Sequence, residues 1–132
     1  MNTHTCLRLF VFAAVVTAFA CAKAQSGEHR VYSNVKYNEE GGDLLGTELD
    51  LTINDGRVDG TLKIYQGGCA DPVRLSGSSP SGKLHASGQG AAFGKVEITG
   101  TLLRDSLNGS MRLEKAQSSE KIRLVKIAKP HC

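Results

Sequence analysis

Acidic side chains concentrate in one short stretch of the sequence, and this stretch offers the clearest binding chemistry of the chain. Glu39, Glu40 and Asp43 stand close together beside Tyr37, in a segment that also contains two glycines. Carboxylates in an exposed turn bind cationic groups of a partner, and with turn carbonyls they are also hard-oxygen ligands for Ca²⁺. The alternating acids and distal glutamate of an EF-hand are absent. We therefore predict partner binding here, together with Asp71 in a second loop, and no metal or cofactor.

A serine-rich segment raises the question of hydrolytic chemistry. The residue types of a catalytic triad are present: a serine, Ser76 or Ser79, with His85 and Asp71. A chain this rich in serine offers such combinations by chance, and no Gly-x-Ser-x-Gly nucleophile motif is present. The two adjacent glutamates of the acidic segment point in opposite directions on extended backbone, which disfavours a paired-carboxylate hydrolase. We predict that the protein is not an enzyme, and a hydrolase with a loop-built site is the last alternative.

The histidines do not have the spacing of a metal site. His29 and His85 have no second histidine or cysteine at a ligand interval, and His131 is adjacent only to Cys132. That cysteine is expected to be oxidised. We therefore predict three ordinary surface histidines.

Cysteine positions predict one crosslink. Cys6 and Cys21 fall in the N-terminal segment that we expect to be removed, which leaves Cys69 and Cys132 as one pair with one possible connectivity. In an oxidising compartment this pair is expected to form a disulfide. The bond would close a loop of about 60 residues, worth roughly 4 kcal/mol in the chain-entropy model.

The N-terminal residues have the layout of a secretory signal peptide. Arg8 supplies a positive charge, residues 9–20 are apolar and uncharged, and 22–24 form a small-x-small cleavage site before Gln25. We predict a cleaved leader over 1–24 and a single all-β domain over 25–132. The protein is then secreted or periplasmic.

A second processing route is also compatible with the leader. Residues 18–21 end in Cys21 after a small residue, as in a bacterial lipoprotein site, although the usual leucine is missing. Lipidation of Cys21 would tether the domain to a membrane face, and only then is a membrane contact predicted. The alternative function that follows is a structural or accessory envelope lipoprotein.

Charge and aromatic content exclude two other classes of partner. Residues 1–24 hold two of the 16 basic side chains and none of the 13 acidic ones, so the remaining chain has a net charge of only +1. This gives little support to nucleic-acid binding. Sugar and single-stranded nucleic-acid sites also depend on stacked aromatics, and the chain has no tryptophan.

Charge is distributed unevenly along the chain. Residues 25–70 hold four basic and eight acidic side chains, whereas residues 71–132 hold ten basic and five acidic ones. In an up-and-down barrel the first and last strands are neighbours, so acidic and basic patches are expected side by side. The basic residues near the C-terminal end are Lys115, Lys121, Arg123, Lys126 and Lys129.

Period-two alternation broken by glycine-bearing turns predicts strands throughout the domain. Asn54-Asp55-Gly56 is a hairpin turn, because Asp-Gly accepts the positive φ angles of tight turns. Residues 66–82 interrupt the rhythm with a short strand at 72–75 and a serine-rich run that we expect to be a mobile loop. The eight predicted strands cover 30–37, 44–53, 57–65, 72–75, 83–87, 95–103, 107–114 and 121–127.

A loose repeat favours one all-β architecture. The pattern apolar-x-Gly-Thr/Ser-apolar occurs at 58–62, 98–102 and 107–111. Glycine inside a strand is typical of sharply bent sheets, so a small antiparallel meander that closes, or nearly closes, into a barrel is expected. A two-sheet sandwich is the second choice. We predict a non-catalytic binding protein for a protein or cell-envelope component, with 37–43 and 66–82 as contact regions.

Overall fold

Nine strands form almost all of the regular structure. The computed structural model describes residues 27–132, so the predicted cleavage after Ala24 and the predicted lipidation of Cys21 lie outside the described residues. No helix in the described range has the length and apolar character needed to cross a membrane. The strands are β1 Glu28–Ser33, β2 Lys36–Asn38, β3 Asp43–Asn54, β4 Arg57–Gly67, β5 Val73–Ser78, β6 Lys83–Gly90, β7 Gly94–Leu102, β8 Ser106–Leu113 and β9 Ser118–Ile127.

The strands close into an antiparallel barrel. From β3 to β9 each strand pairs with the next, and β1 closes the ring by pairing with both β3 and β9. Eight strands therefore form the barrel, and β2 is an extra strand that pairs with β3. The predicted closed meander is confirmed, and the sandwich is not formed.

The first predicted strand is divided into β1 and β2. Both lie along β3 in one continuous register, from Ser33 opposite Glu48 to Lys36 opposite Leu45. At the break, Asn34 Oδ1 accepts a hydrogen bond from the Thr47 N–H at 2.7 Å, and Ser33 Oγ accepts one from the Val35 N–H at 3.0 Å. The Asn34 N–H still donates to the Thr47 carbonyl at 3.0 Å, so one backbone ladder bond remains and the Asn34 side chain replaces the backbone acceptor in the other.

The inward side chains fill the barrel. Alternation along each strand directs every second residue to the inside, and eight short strands leave an interior just wide enough for those side chains. The interior is consequently the hydrophobic core. Its largest members are Tyr32, Leu49, Leu51, Leu62, Leu84, Ile98, Leu107, Met111 and Leu124, all nearly or fully buried.

Two inward glycines show why the glycine-containing repeat suits this barrel. A Cβ atom at Gly109 would lie 2.0 Å from the carbonyl oxygen of Thr99, and one at Gly60 would lie 2.1 Å from that of Asp50. No side chain fits at such distances, so glycine allows neighbouring strands to approach where the sheet bends.

The serine-rich segment is more ordered than predicted. β5 continues to Ser78, and Ser79 is buried with its N–H donating to the Gly56 carbonyl at 2.7 Å. A single 3₁₀ turn, Pro80–Gly82, then leads into β6. Pairing with β4 and β6 explains the order, because the strand acquires hydrogen-bond partners on both sides. Only 68–72 remains as a loop at the start of this segment.

Candidate binding site at the barrel mouth

One end of the barrel brings together most of the predicted contact residues. The antiparallel order places the connections 39–42, 68–72, 91–93 and 114–117 at this end, which we call the mouth. Glu39 and Glu40 lie in the first connection and Asp71 in the second. The first predicted contact region and the start of the second, 66–72, therefore share one end of the molecule, whereas the rest of the second region follows β5 to the far end.

A three-stranded extension projects from the mouth. Pairing between β4 and β5 stops at Leu62 and Val73, whereas pairing between β3 and β4 continues to Leu44 and Gly67. β2 pairs with the same part of β3. We call this extension, formed by residues 36–46 and 63–67, the flap.

The flap exposes both acidic and apolar side chains. Tyr37 is 62% exposed and Leu45 is 46% exposed, whereas most large apolar side chains are buried. The turn at the tip is held by the Gly42 N–H, which donates to the Asn38 carbonyl at 2.8 Å. Glu39 and Glu40 project at this tip and are exposed, so a partner can reach both carboxylates.

A cleft lies beside the flap, over the end of the core. It has a volume of about 450 Å³. Ile64, Val73 and Phe93 form its apolar walls, and Ile64 and Phe93 are partly buried against the core. Asp71 and Gln66 add polar groups at the rim. An apolar cleft with a few polar groups is suited to an apolar side chain or small ligand flanked by hydrogen-bonding groups.

A buried carboxylate anchors the base of the flap. Glu48 is 1% exposed, and it accepts hydrogen bonds from the Tyr65 hydroxyl at 3.2 Å and from the His131 backbone N–H at 3.3 Å. His131 Nδ1 forms a further hydrogen bond to the same carboxylate. The network joins β3, β4 and the segment 128–132, which crosses the outer face of the sheet.

The environment of Tyr65 keeps its hydroxyl a donor. Burial, followed by the negative charge of Glu48, raises the pKa of Tyr65 to about 12. The phenol is therefore protonated at neutral pH and donates to Glu48.

The disulfide holds the same region from a second side. Cys69 and Cys132 are bonded, with their Cα atoms 5.9 Å apart, which confirms the predicted crosslink. The Lys63 Nζ atom also donates to the Cys132 carbonyl at 2.8 Å. The bond ties the 68–72 loop, which lines the cleft, to the segment that covers Glu48.

His131 and Glu48 were not identified as partners from the sequence. Alternation places Glu48 on the outward side of β3, and His131 was predicted to be an ordinary surface residue. They lie 83 residues apart. The one sequence signal that could have found them is the disulfide, because it brings His131, next to Cys132, towards Tyr65, near Cys69.

The residues of the hydrolase alternative are not assembled into a triad. Ser79 is buried at the far end of the barrel, and His85 is opposite Ser78, the last residue of β5. Asp71 lies before β5 begins, so the strand separates it from His85 by about 17 Å at 3.3 Å per residue. Asp71 cannot orient that imidazole.

A larger open groove lies on the outer face of β7, β8 and β9. It measures about 800 Å³, but Lys95 and Glu97 pair with each other at 3.0 Å, and this contact lowers the pKa of Glu97. Its remaining charges, Arg112 and Glu114, also balance. The groove therefore has no excess charge of either sign.

Within residues 27–132, no three His, Cys, Asp or Glu side chains are grouped as metal ligands would be.

The fold and the mouth place this chain among small disulfide-bonded antiparallel β-barrels. Comparison with known proteins gave no matching family model, no matching curated protein and no matching solved structure.

Proposed function

We propose that this protein is a non-catalytic binding protein that recognises a protein or a cell-envelope component through the flap and the adjoining cleft. The observation that carries the proposal is the flap itself, which extends paired strands, exposed acids and exposed apolar groups beyond a closed barrel. Because the barrel interior is occupied by its own core, a partner has to be bound on the outside.

The chemistry of the flap defines the partner that would fit. Glu39 and Glu40 favour a cationic surface. Tyr37 and Leu45 are exposed on opposite faces of the flap, because Tyr37 pairs with Leu44, and either one favours an apolar group next to the cations. Tyrosine is also enriched at protein interfaces, since it combines large apolar area with one hydroxyl group. A basic partner with an apolar side chain beside its cations matches this surface.

The anchoring of the flap supports a role in recognition. Glu48, Tyr65 and the disulfide hold the base of the flap and the adjacent loop before any partner arrives. A surface that is already ordered loses less conformational entropy on binding. The disulfide also agrees with the proposed export of the protein, because such bonds persist in oxidising compartments.

A charge-matched pair of variants tests the proposal. The protein is purified gently from its own source and analysed by native mass spectrometry, which is expected to show a stoichiometric partner. E39Q/E40Q/D43N, which removes three carboxylates from the flap, is expected to lose that partner while keeping its unfolding midpoint. D55N/D59N/D105N removes three exposed carboxylates at the far end and is expected to retain it.

Two results would count against the proposal, each in a different way. A bare chain, with no co-purifying mass, would contradict the binding function and favour the accessory envelope role. Retention of the partner by E39Q/E40Q/D43N would leave binding intact but would remove the flap carboxylates from the site.

A further inference from the structure

β9 has an edge that the barrel does not use. It pairs with β8 from Ser118 to Val125, but its pairing with β1 is limited to three residues, Val125 to Ile127. Beyond Ser33 the chain continues along β3 into the flap and leaves β9. Within residues 27–132, positions 118–124 of β9 therefore have no strand on their second side.

The backbone groups at this edge point outward in a regular way. The Lys126 N–H donates to the Asp105 carbonyl, on the β8 side, at 2.8 Å. In a strand the N–H and C=O of successive residues point to alternate sides. Lys121 and Arg123 consequently direct their N–H and C=O groups to the open side, with the spacing that an added antiparallel strand requires.

The charged side chains on the outer face of this edge are cationic, whereas Glu120 belongs to the opposite face, the face of Ile122 and Leu124. Ile122 and Leu124 are buried inside the barrel, so Lys121 and Arg123 lie on its outer face, where both are exposed. In an antiparallel pair, residues directly opposite each other share a face, and opposite charges there stabilise the pairing. An added strand thus fits best with acidic side chains opposite Lys121 and Arg123.

We propose that the edge of β9 between residues 118 and 124 binds an extended, acidic segment of a partner protein by antiparallel strand addition. Such addition supplies main-chain hydrogen bonds for affinity and side-chain pairs for specificity. A second copy of this chain is a poorer occupant, because pairing of two β9 edges would place Lys121 and Arg123 against the same cations. The inference goes beyond the proposed function, since it concerns a second surface.

The test uses a blocked heptapeptide in which glutamate and valine alternate, added to the disulfide-bonded protein. Binding is followed by NMR, and the amide protons of Lys121 and Arg123 are expected to exchange roughly tenfold more slowly or better with peptide bound. The amides of Ile122 and Leu124 already face β8 and are expected to change little.

Two N-methylated peptides separate strand addition from simple charge attraction. In the bound peptide, the residues opposite Lys121 and Arg123 are the glutamates. Their side chains lie on the outer face and their N–H groups point to β9, so N-methylation of the glutamates is expected to abolish binding. N-methylation of the valines, with the same charge, is expected to preserve it. Equal binding of the two peptides, or no binding of the unmodified one, would overturn the proposal.

A pair of protein variants locates the site. K121Q/R123Q is expected to bind the unmodified peptide several-fold more weakly, whereas K83Q/R104Q, which removes two exposed cations elsewhere, is expected to bind it normally. Equal loss in both variants would contradict a site at β9. The flap variant E39Q/E40Q/D43N is expected to retain peptide binding, so failure here leaves the proposed function standing.

Discussion

Two histidine–carboxylate pairs on the same side of β3 differ in their surroundings. Glu48, paired with His131, is almost completely buried, whereas the Asp50 side chain, paired with His29 at 2.5 Å, is 32% exposed. Loss of a partner costs most where water cannot replace it. The two pairs are therefore expected to contribute very different amounts to stability.

His131→Ala removes the imidazole from the buried carboxylate and leaves the Tyr65 hydroxyl and a backbone N–H as its donors. We expect a loss of about 1–3 kcal/mol in the free energy of unfolding, measured by urea denaturation of the disulfide-bonded protein. His29→Ala is the control and is expected to cost less than about 1 kcal/mol, as exposed pairs do. Equal losses in the two variants would contradict the expectation that burial of Glu48 increases the contribution of its pair to stability.

The sequence alone could not reveal this difference between the two pairs. Both carboxylates occupy outward positions of β3, and alternation predicts that both are exposed. Glu48 is buried only because 128–132 crosses the outer face, which depends on contacts between residues far apart in the chain. Local pattern specifies which side of a strand a residue takes, but not what later segment covers it.

Glycine inside the strands is an element-scale requirement of the barrel. Gly109→Ala places a methyl group where the Thr99 carbonyl stands, so β7 and β8 have to separate. We expect a loss of at least about 1–3 kcal/mol in the free energy of unfolding, as for overpacked interiors. Gly68→Ala is the control, since a Cβ there meets nothing within 4 Å. A neutral Gly109→Ala would contradict the close approach of these strands.

Most strands were predictable because alternation and turn residues act locally. The predicted strands 44–53, 57–65 and 83–87 lie within β3, β4 and β6, and the Asp-Gly turn joins β3 to β4. Two features differed. The first strand breaks at Asn34 because its side chain, and not its carbonyl, accepts the Thr47 N–H. The serine-rich run joins β5 because neighbouring strands supply hydrogen bonds that its composition does not suggest.

The flap could be anticipated only in part. Glycines and acids at 37–43 predict an exposed turn, and that turn lies where a binding surface was expected. Its projection beyond the barrel depends on the unequal lengths of β4 and β5, which composition does not specify. The free edge of β9 likewise arises because pairing between β1 and β9 ends at Ser33. Where that pairing ends depends on how the whole barrel closes, which a local pattern does not specify.

At the scale of the whole molecule, the disulfide is expected to dominate stability. Cys69 and Cys132 are 63 residues apart in sequence. The C69S/C132S variant is expected to lose about 4 kcal/mol in the free energy of unfolding, with a fall of roughly 15–30 °C in Tm. Calorimetry of the oxidised protein and this variant measures the difference.

Mass analysis supplies the control for that comparison. The oxidised protein is expected to resist alkylation without reductant, and the reduced protein is expected to take up two alkyl groups at Cys69 and Cys132. If fully alkylated protein unfolds at the same temperature as the oxidised form, the crosslink adds nothing to stability.

The crosslink also determines how the molecule would carry mechanical force. Tension applied at residues 27 and 132 runs along the chain to Cys69 and then passes directly through the sulfur atoms to Cys132. The load therefore falls on β1–β4, and extension is limited to about 150 Å instead of about 370 Å for the reduced chain. β5–β9 stand outside the load path. Because β1 pairs with β9 and β4 pairs with β5, stretching the loaded half would open the barrel at those two seams.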